Sequence, residues 1–238
     1  MSWSIPNRTR GTDGALPDWL FADRIDAGRA LGELVAFCHD LSGPVVVALP
    51  RGGVPVGAQV ARKLGAPLVV MPVGKVGAPG REELAVGAVA PGGVTVLNAD
   101  IIAALRLGPG EVEDLVSKAA VKVAHQVELY SRAGQGVPLS GRSVVVVDDG
   151  LATGASMRAS LIAVRALGPR RLVLAVPVAA PEALGSLASL VDEEVSVVRP
   201  ERMESVGAWY KDFSQTTDAE VARFLAELAV EQQPHSAG

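Results

Sequence analysis

The chain has 238 residues, of which 49% are hydrophobic and 20% charged, enough apolar material for one well-buried core and a single domain. A formal net charge of -4 argues against bulk electrostatic binding to nucleic acid, so an anionic ligand has to be held by local groups. Met1 to Asp26 lacks an apolar stretch of signal-peptide length, and no later apolar run reaches the ~18 residues of a membrane span, so a soluble, cytoplasmic protein is expected.

Taken in chain order, Ile25, Leu31, Leu34, Val35, Cys38 and Leu41 recur at helical spacing until Gly43-Pro44 ends the pattern. The single cysteine, Cys38, falls in that helix and reads as a small core residue. Val45 to Leu49 is continuously apolar, as in a strand buried on both faces of a parallel sheet. Pro50-Arg51-Gly52-Gly53 is a loop, followed by a helix with Pro55 in its first turn, and Leu68 to Val73 is the next buried strand. The glycines between Gly74 and Gly80 predict a flexible loop, with a hairpin after it from Leu84 to Val89 and Val94 to Leu97.

Asp100 to Leu107 and Glu111 to Tyr130 are predicted helices. A strand at Ser143 to Val147, a loop at Asp148 to Ala155 and a helix at Ser156 to Leu167 follow. Strands at Leu172 to Val176 and Val195 to Val198 flank a helix from about Pro181 to Leu190. Thr217 and Glu220 form a capping-box pair at the start of a last helix, and 232–238 reads as a frayed tail. Buried strands alternating with helices give an α/β fold with a mainly parallel sheet flanked by helices.

The chemistry concentrates between Val144 and Ser156. Asp148 and Asp149 stand at the carboxyl end of a buried strand, where open α/β sheets bind ligands. The turn Ala152-Thr153-Gly154-Ala155-Ser156 offers backbone N–H groups and two hydroxyls at a helix N-terminus, which suits a phosphate monoester. The acids suit vicinal sugar hydroxyls, or water on a magnesium ion, which prefers oxygen ligands and keeps several waters. A sugar phosphate satisfies both halves. Metalloprotease, C-x-x-C, nucleophile-elbow and Walker A signatures are absent, and the three histidines do not fall into metal-ligand spacing.

Four apolar residues, two acids and a Thr-Gly-x-Ser turn resemble the phosphoribosyl pyrophosphate signature of type I phosphoribosyltransferases. That resemblance implies their fold, with a small hood, hood and lid elements being expected from 74–97 and 200–231. It implies that Asp148 and Asp149 hold the ribose hydroxyls and, through water, Mg2+, while Ala152, Thr153, Gly154, Ala155 and Ser156 hold the 5-phosphate. Arg51, Gly52 and Gly53 resemble the family's pyrophosphate loop, where glycines admit an anion close to the backbone and a guanidinium grips two oxygens. Lys75 begins the segment that closes over the reacting centre in adenine-type relatives. Hypoxanthine-guanine enzymes carry an Asp where this chain has Ala152, which leaves the acceptor open. Pro177 to Pro181 and Val206 to Phe213 look like a group of bacterial predicted phosphoribosyltransferases of unassigned substrate.

The implied reaction moves the 5-phosphoribosyl group from its pyrophosphate to a nitrogenous acceptor, with Arg51, Lys75, Asp148 and Asp149 as the catalytic set. Trp209, with Tyr210 and Phe213, is a candidate for the hood over a planar acceptor. A non-catalytic phosphoribosyl pyrophosphate sensor and an enzyme acting on another phosphosugar are the alternatives. A nucleic-acid or membrane partner is not expected, and the oligomeric state is open, a homodimer among the options.

Overall fold

A computed structural model describes residues 2–3, 20–130 and 137–231. In chain order the elements are β1 (Ser2–Trp3), α1 (Arg24–Val35), β2 (Val45–Ala48), α2 (Gly53–Leu64), β3 (Leu68–Val70), β4 (Gly74–Ala78), β5 (Arg81–Ala90) and β6 (Val94–Leu97). They continue with α3 (Ala99–Leu105), α4 (Pro109–Tyr130), β7 (Ser143–Val147), α5 (Ala155–Ala166), β8 (Arg171–Val178), α6 (Pro181–Leu187), β9 (Glu193–Val198) and α7 (Asp218–Glu231). The predicted tail at 232–238 lies outside the described residues.

A parallel sheet in the order β1-β9-β8-β7-β2-β3 forms the centre, its edge strand β1 only two residues long. The valine runs explain why its middle is buried on both sides. Val46 and Val145 face a layer that includes α1, α2 and α7, whereas Val45 and Val144 face α5 and α6. Successive side chains of one strand thus enter two different cores.

The chain leaves β2 towards β3 on one side and leaves β7 towards β8 on the other. Between these neighbours lies the topological switch point of the sheet, and the crevice beyond its carboxyl edge is where such folds bind ligands. The loop Pro50 to Gly52 leaves β2 at this edge and Asp148 to Gly154 leaves β7 beside it, in register through Ala48 and Val147. The helices that follow, α2 and α5, start at the same edge on opposite faces.

Two expectations change. Residues Gly74 to Ala78 form a paired strand, not a flexible loop. β4, β5 and β6 make a second, antiparallel sheet that packs on α4 and α5. The expected hairpin is its β5–β6 half. α1 stops at Val35, so Cys38 lies beyond the helix, half-buried at the rim of the core, where burial pushes its thiol up to about 12. Residues 218–231 pack as α7 with α2 in the helical layer, starting at the expected Thr217–Glu220 capping box.

Candidate functional site at the sheet switch point

Asp148 and Asp149 stand just beyond β7. Asp148 Oδ1 accepts a hydrogen bond from the Asp149 N–H at 2.9 Å, which fixes the first carboxylate by a local turn. Asp149 Oδ2 accepts from Arg24 Nε at 2.8 Å, and the Tyr210 hydroxyl donates to the Asp149 carbonyl oxygen. Leu151, fully inside the core, donates to the Val178 carbonyl and accepts from the Ala180 N–H, so the turn is pinned to the end of β8.

Gly154 then adopts φ 78°, a conformation that favours glycine, and α5 begins without a side-chain cap. Its first intrahelical bond runs from Arg158 N–H to the Gly154 carbonyl, so the N–H groups ahead of it face the turn. Ala152, Thr153 and Ser156 are exposed there. Uncapped N–H groups at a helix N-terminus suit an anion.

The loop after β2 lies against the acids. A β-carbon on Gly52 would overlap Asp149 Oδ2 and stand 3.3 Å from Arg24 Nε; one on Gly53 would stand 2.8 Å from the Val147 carbonyl oxygen. Glycine is required at both places by close approach. The Pro50–Arg51 peptide bond is cis. The Arg51 guanidinium is partly exposed, with Nη1 3.8 Å from Asp218 Oδ2, and Asp218 Oδ1 accepts from the Tyr130 hydroxyl at 2.8 Å.

Two carboxylates share one short guanidinium contact. Burial and the neighbouring Asp149 charge hold the Asp148 carboxyl well above the ordinary carboxylate range. Burial raises Asp149 as well, against the opposing pull of Arg24. The buried acid pair therefore has little compensating charge of its own beyond Arg24, and hydroxyl groups or a hydrated cation can supply it. Among the described residues no three His, Cys, Asp or Glu side chains converge on a metal position. The donor set does not cage a cation by itself, and it fits one held through water and ligand oxygens.

The other expected site residues fall in two places. Lys75 lies in β4 opposite Ala88 of β5. Ala88 lines a cleft of about 260 Å³ with Arg158 and Ala159 of α5, so the small sheet covers the helix that starts at the Ala152–Ser156 turn. Trp209 ends a short 3-10 turn; its carbonyl accepts from the Leu20 and Phe21 N–H groups, and its indole is half-buried on the core. Tyr210 is buried against Phe21 and Phe213, with ring centroids 5.4 Å and 5.0 Å away. Of the three aromatics, Tyr210 is committed to the interior.

Sequence reasoning misses Arg24. It contacts Asp149 across 125 residues of chain, and nothing in its own neighbourhood marks it. The strap from Val206 to Thr216 is conspicuously aromatic, but its pairing with residues 20–22 carries no local signal.

Comparison with known proteins agrees with this geometry. The model of the phosphoribosyl transferase domain family matches residues 22–202. Two curated Mycobacterium tuberculosis proteins, named "Putative phosphoribosyl transferase Rv0571c" (strain ATCC 25618 / H37Rv) and "Putative phosphoribosyl transferase MT0597" (strain CDC 1551 / Oshkosh), are each 42% identical over 208 residues. The match covers 87% of this chain and 46% of each relative, so the chain spans about half their length. The crystal structure of TT1426 from Thermus thermophilus superposes with a TM-score of 0.80 at 44% identity, covering 87% of this chain and 98% of that one. With the family model matching most of its length and the acid pair, the Ala152–Ser156 turn and the glycine loop meeting at one switch point, the chain belongs to the phosphoribosyl transferase family and has its type I fold.

Proposed function

We propose that the protein binds 5-phosphoribosyl-1-pyrophosphate in the crevice between β2 and β7 and transfers its phosphoribosyl group to a nitrogenous acceptor, a nucleobase being the simplest planar candidate. The observation that supports this best is the contact of Gly52 with Asp149, which sets a pyrophosphate-type loop and a ribose-type acid pair side by side. In this reading Asp148 and Asp149 accept hydrogen bonds from the ribose hydroxyls. The turn from Ala152 to Ser156 holds the 5-phosphate on backbone N–H groups and hydroxyls. Arg51 and the Gly52 and Gly53 amides support the pyrophosphate, with Lys75 a further contributor from the small sheet.

The bond from the anomeric carbon to the pyrophosphate oxygen breaks, its electrons leaving with pyrophosphate. The acceptor nitrogen forms the new bond from the opposite face, and its proton passes to solvent. These residues orient the sugar and stabilise charge that grows on the leaving group. Mg2+, held through water by Asp148 and Asp149, would neutralise pyrophosphate charge. Trp209 offers a partly exposed ring for stacking on the acceptor.

Titration calorimetry with phosphoribosyl pyrophosphate and Mg2+, followed by a mass-spectrometric screen of nucleobases and amines, tests the proposal. The expected result is saturable, Mg2+-dependent binding, and pyrophosphate release only when an acceptor is present. No binding by the native protein would refute it. Binding with release that needs no acceptor would point to hydrolysis, and binding with no turnover of any acceptor to a sensor.

A further inference from the structure

Arg24, the first residue of α1, belongs to none of the motifs above, yet its guanidinium joins three parts of the site. Nε donates to Asp149 Oδ2 at 2.8 Å, and Nη1 donates to the Ser214 carbonyl at 2.7 Å. Its carbon centre lies 3.9 Å from the centroid of the Phe213 ring, in a cation–π arrangement. The side chains of Arg24 and Asp149 are only 11% and 16% exposed, so this pair is little weakened by solvent. The strap that supplies Phe213 and Ser214 also supplies Tyr210, whose hydroxyl donates to the Asp149 carbonyl. Asp149 is thus held at its main chain and at one side-chain oxygen by the same assembly.

The other oxygen differs. Among the described residues no hydrogen bond reaches Asp149 Oδ1, and it is not a buried, unpartnered atom. A carboxylate free to turn about its bond to Cβ would present either oxygen to the crevice at many angles. One clamped through Oδ2 presents Oδ1 in a single orientation, so the ordering is done before a ligand arrives.

We infer that Arg24 is the positioning residue for the second acid, clamping Asp149 so that Oδ1 faces a ribose hydroxyl and tying that acid to the Val206–Thr216 strap. This rests on the proposed binding of a phosphoribosyl ligand. Arg24 touches Asp149 and not the sugar, so it acts through the carboxylate. Lysine can replace it only in part, because an ammonium keeps the charge but lacks the planar fork that bonds Asp149 and Ser214 while lying on Phe213.

The test is calorimetry of Mg2+–phosphoribosyl pyrophosphate and of ribose 5-phosphate with Arg24→Gln and Arg24→Lys, in the native and the Asp149→Asn backgrounds. Arg24→Gln should weaken both ligands at least tenfold, and Arg24→Lys should recover only part of that. In the Asp149→Asn background Arg24→Gln should cost less than twofold, because the group it positions has been altered. Equal losses in both backgrounds, or a lower melting temperature with unchanged affinity, would overturn the inference. Should Arg24→Gln fail to fold, Phe213→Leu removes the ring beneath Arg24, together with the ring contact to Tyr210, and keeps Arg24 itself; a loss of affinity that vanishes with Asp149→Asn is expected, and no loss is contradictory. Native protein that binds neither ligand takes the proposed function down with it, whereas native binding matched by Arg24→Gln defeats only this inference.

Discussion

Gly52→Ala adds one methyl group at the point where the two halves of the site touch. The backbone there has φ -60° and ψ -34°, which alanine adopts freely, so the substitution carries no conformational penalty. Its effect comes from the new carbon, which would overlap Asp149 Oδ2 and stand 2.8 Å from Asp149 Cγ, against an ordinary contact of 3.4–4 Å. The carboxylate must retreat by more than half an ångström, and the 2.8 Å bond to Arg24 cannot survive that unchanged. Overpacking of this kind costs ~1–3 kcal/mol, and in a domain of this size ~1 kcal/mol moves the melting temperature by ~2–4 °C. A fall of roughly 2–12 °C is expected. Loss of a well-placed charged acceptor removes ~1.5–3 kcal/mol, or about 10- to 150-fold in affinity for phosphoribosyl pyrophosphate. Gly185→Ala is the control: it lies in α6 with nothing within 4 Å of the added carbon and should raise stability by ~0.5–1 kcal/mol without touching affinity. Scanning fluorimetry and calorimetry on both variants give the answer. Native-like melting and affinity in Gly52→Ala would show that the loop and Asp149 are not in contact.

Asp148→Asn should raise the melting temperature of the ligand-free protein while abolishing tight ligand binding. The folded state raises this carboxyl above its ordinary 3.8, so stability is lost as pH climbs from there through the raised value, and the native protein carries that cost at pH 7. The variant's advantage should be largest at pH 8 and shrink towards pH 4; a variant less stable than native at pH 8 contradicts the electrostatic account. Arg51→Ala should lose affinity for phosphoribosyl pyrophosphate and leave ribose 5-phosphate nearly unaffected, since Arg51 lies after β2 and the phosphate turn after β7; equal losses by calorimetry would reassign it. Trp209→Ala should weaken acceptor capture at unchanged phosphoribosyl pyrophosphate affinity, and a drop confined to the melting temperature would make its indole a packing group.

The parts of this molecule that could be read in the sequence are those whose cause is local. Val45 to Ala48 and Ser143 to Val147 are strands because unbroken β-branched residues fit a surface packed on both faces, and both are buried throughout. The Thr217–Glu220 cap and the Gly154 turn are equally local, as each is satisfied within four residues. β4 escapes such a reading because glycine at Gly74 and Gly77 normally signals freedom. At Gly74 it signals crowding, since a β-carbon would stand 2.8 Å from Val123 Cγ2 of α4, a helix dozens of residues away. Arg24 escapes for the same reason in a stronger form. Its partners Asp149, Phe213 and Ser214 come from distant segments, and only the finished fold brings them to it.

The small antiparallel sheet changes the thermodynamic terms on which anything in that region could cover the crevice. Ordering a coil of some twenty residues around a ligand would cost ~1–2 kcal/mol of backbone entropy per residue, a total several times the ~8 kcal/mol of a micromolar affinity. The strands β4, β5 and β6 are already paired before any ligand arrives, with Lys75 held opposite Ala88. A displacement of this unit would be a hinge motion of a preassembled flap about its two attachments, near Val73 and Asn98. Its cost would fall on a handful of torsions and on the packing of the sheet against α4 and α5, and its speed would be that of a domain rotation and not of a folding event.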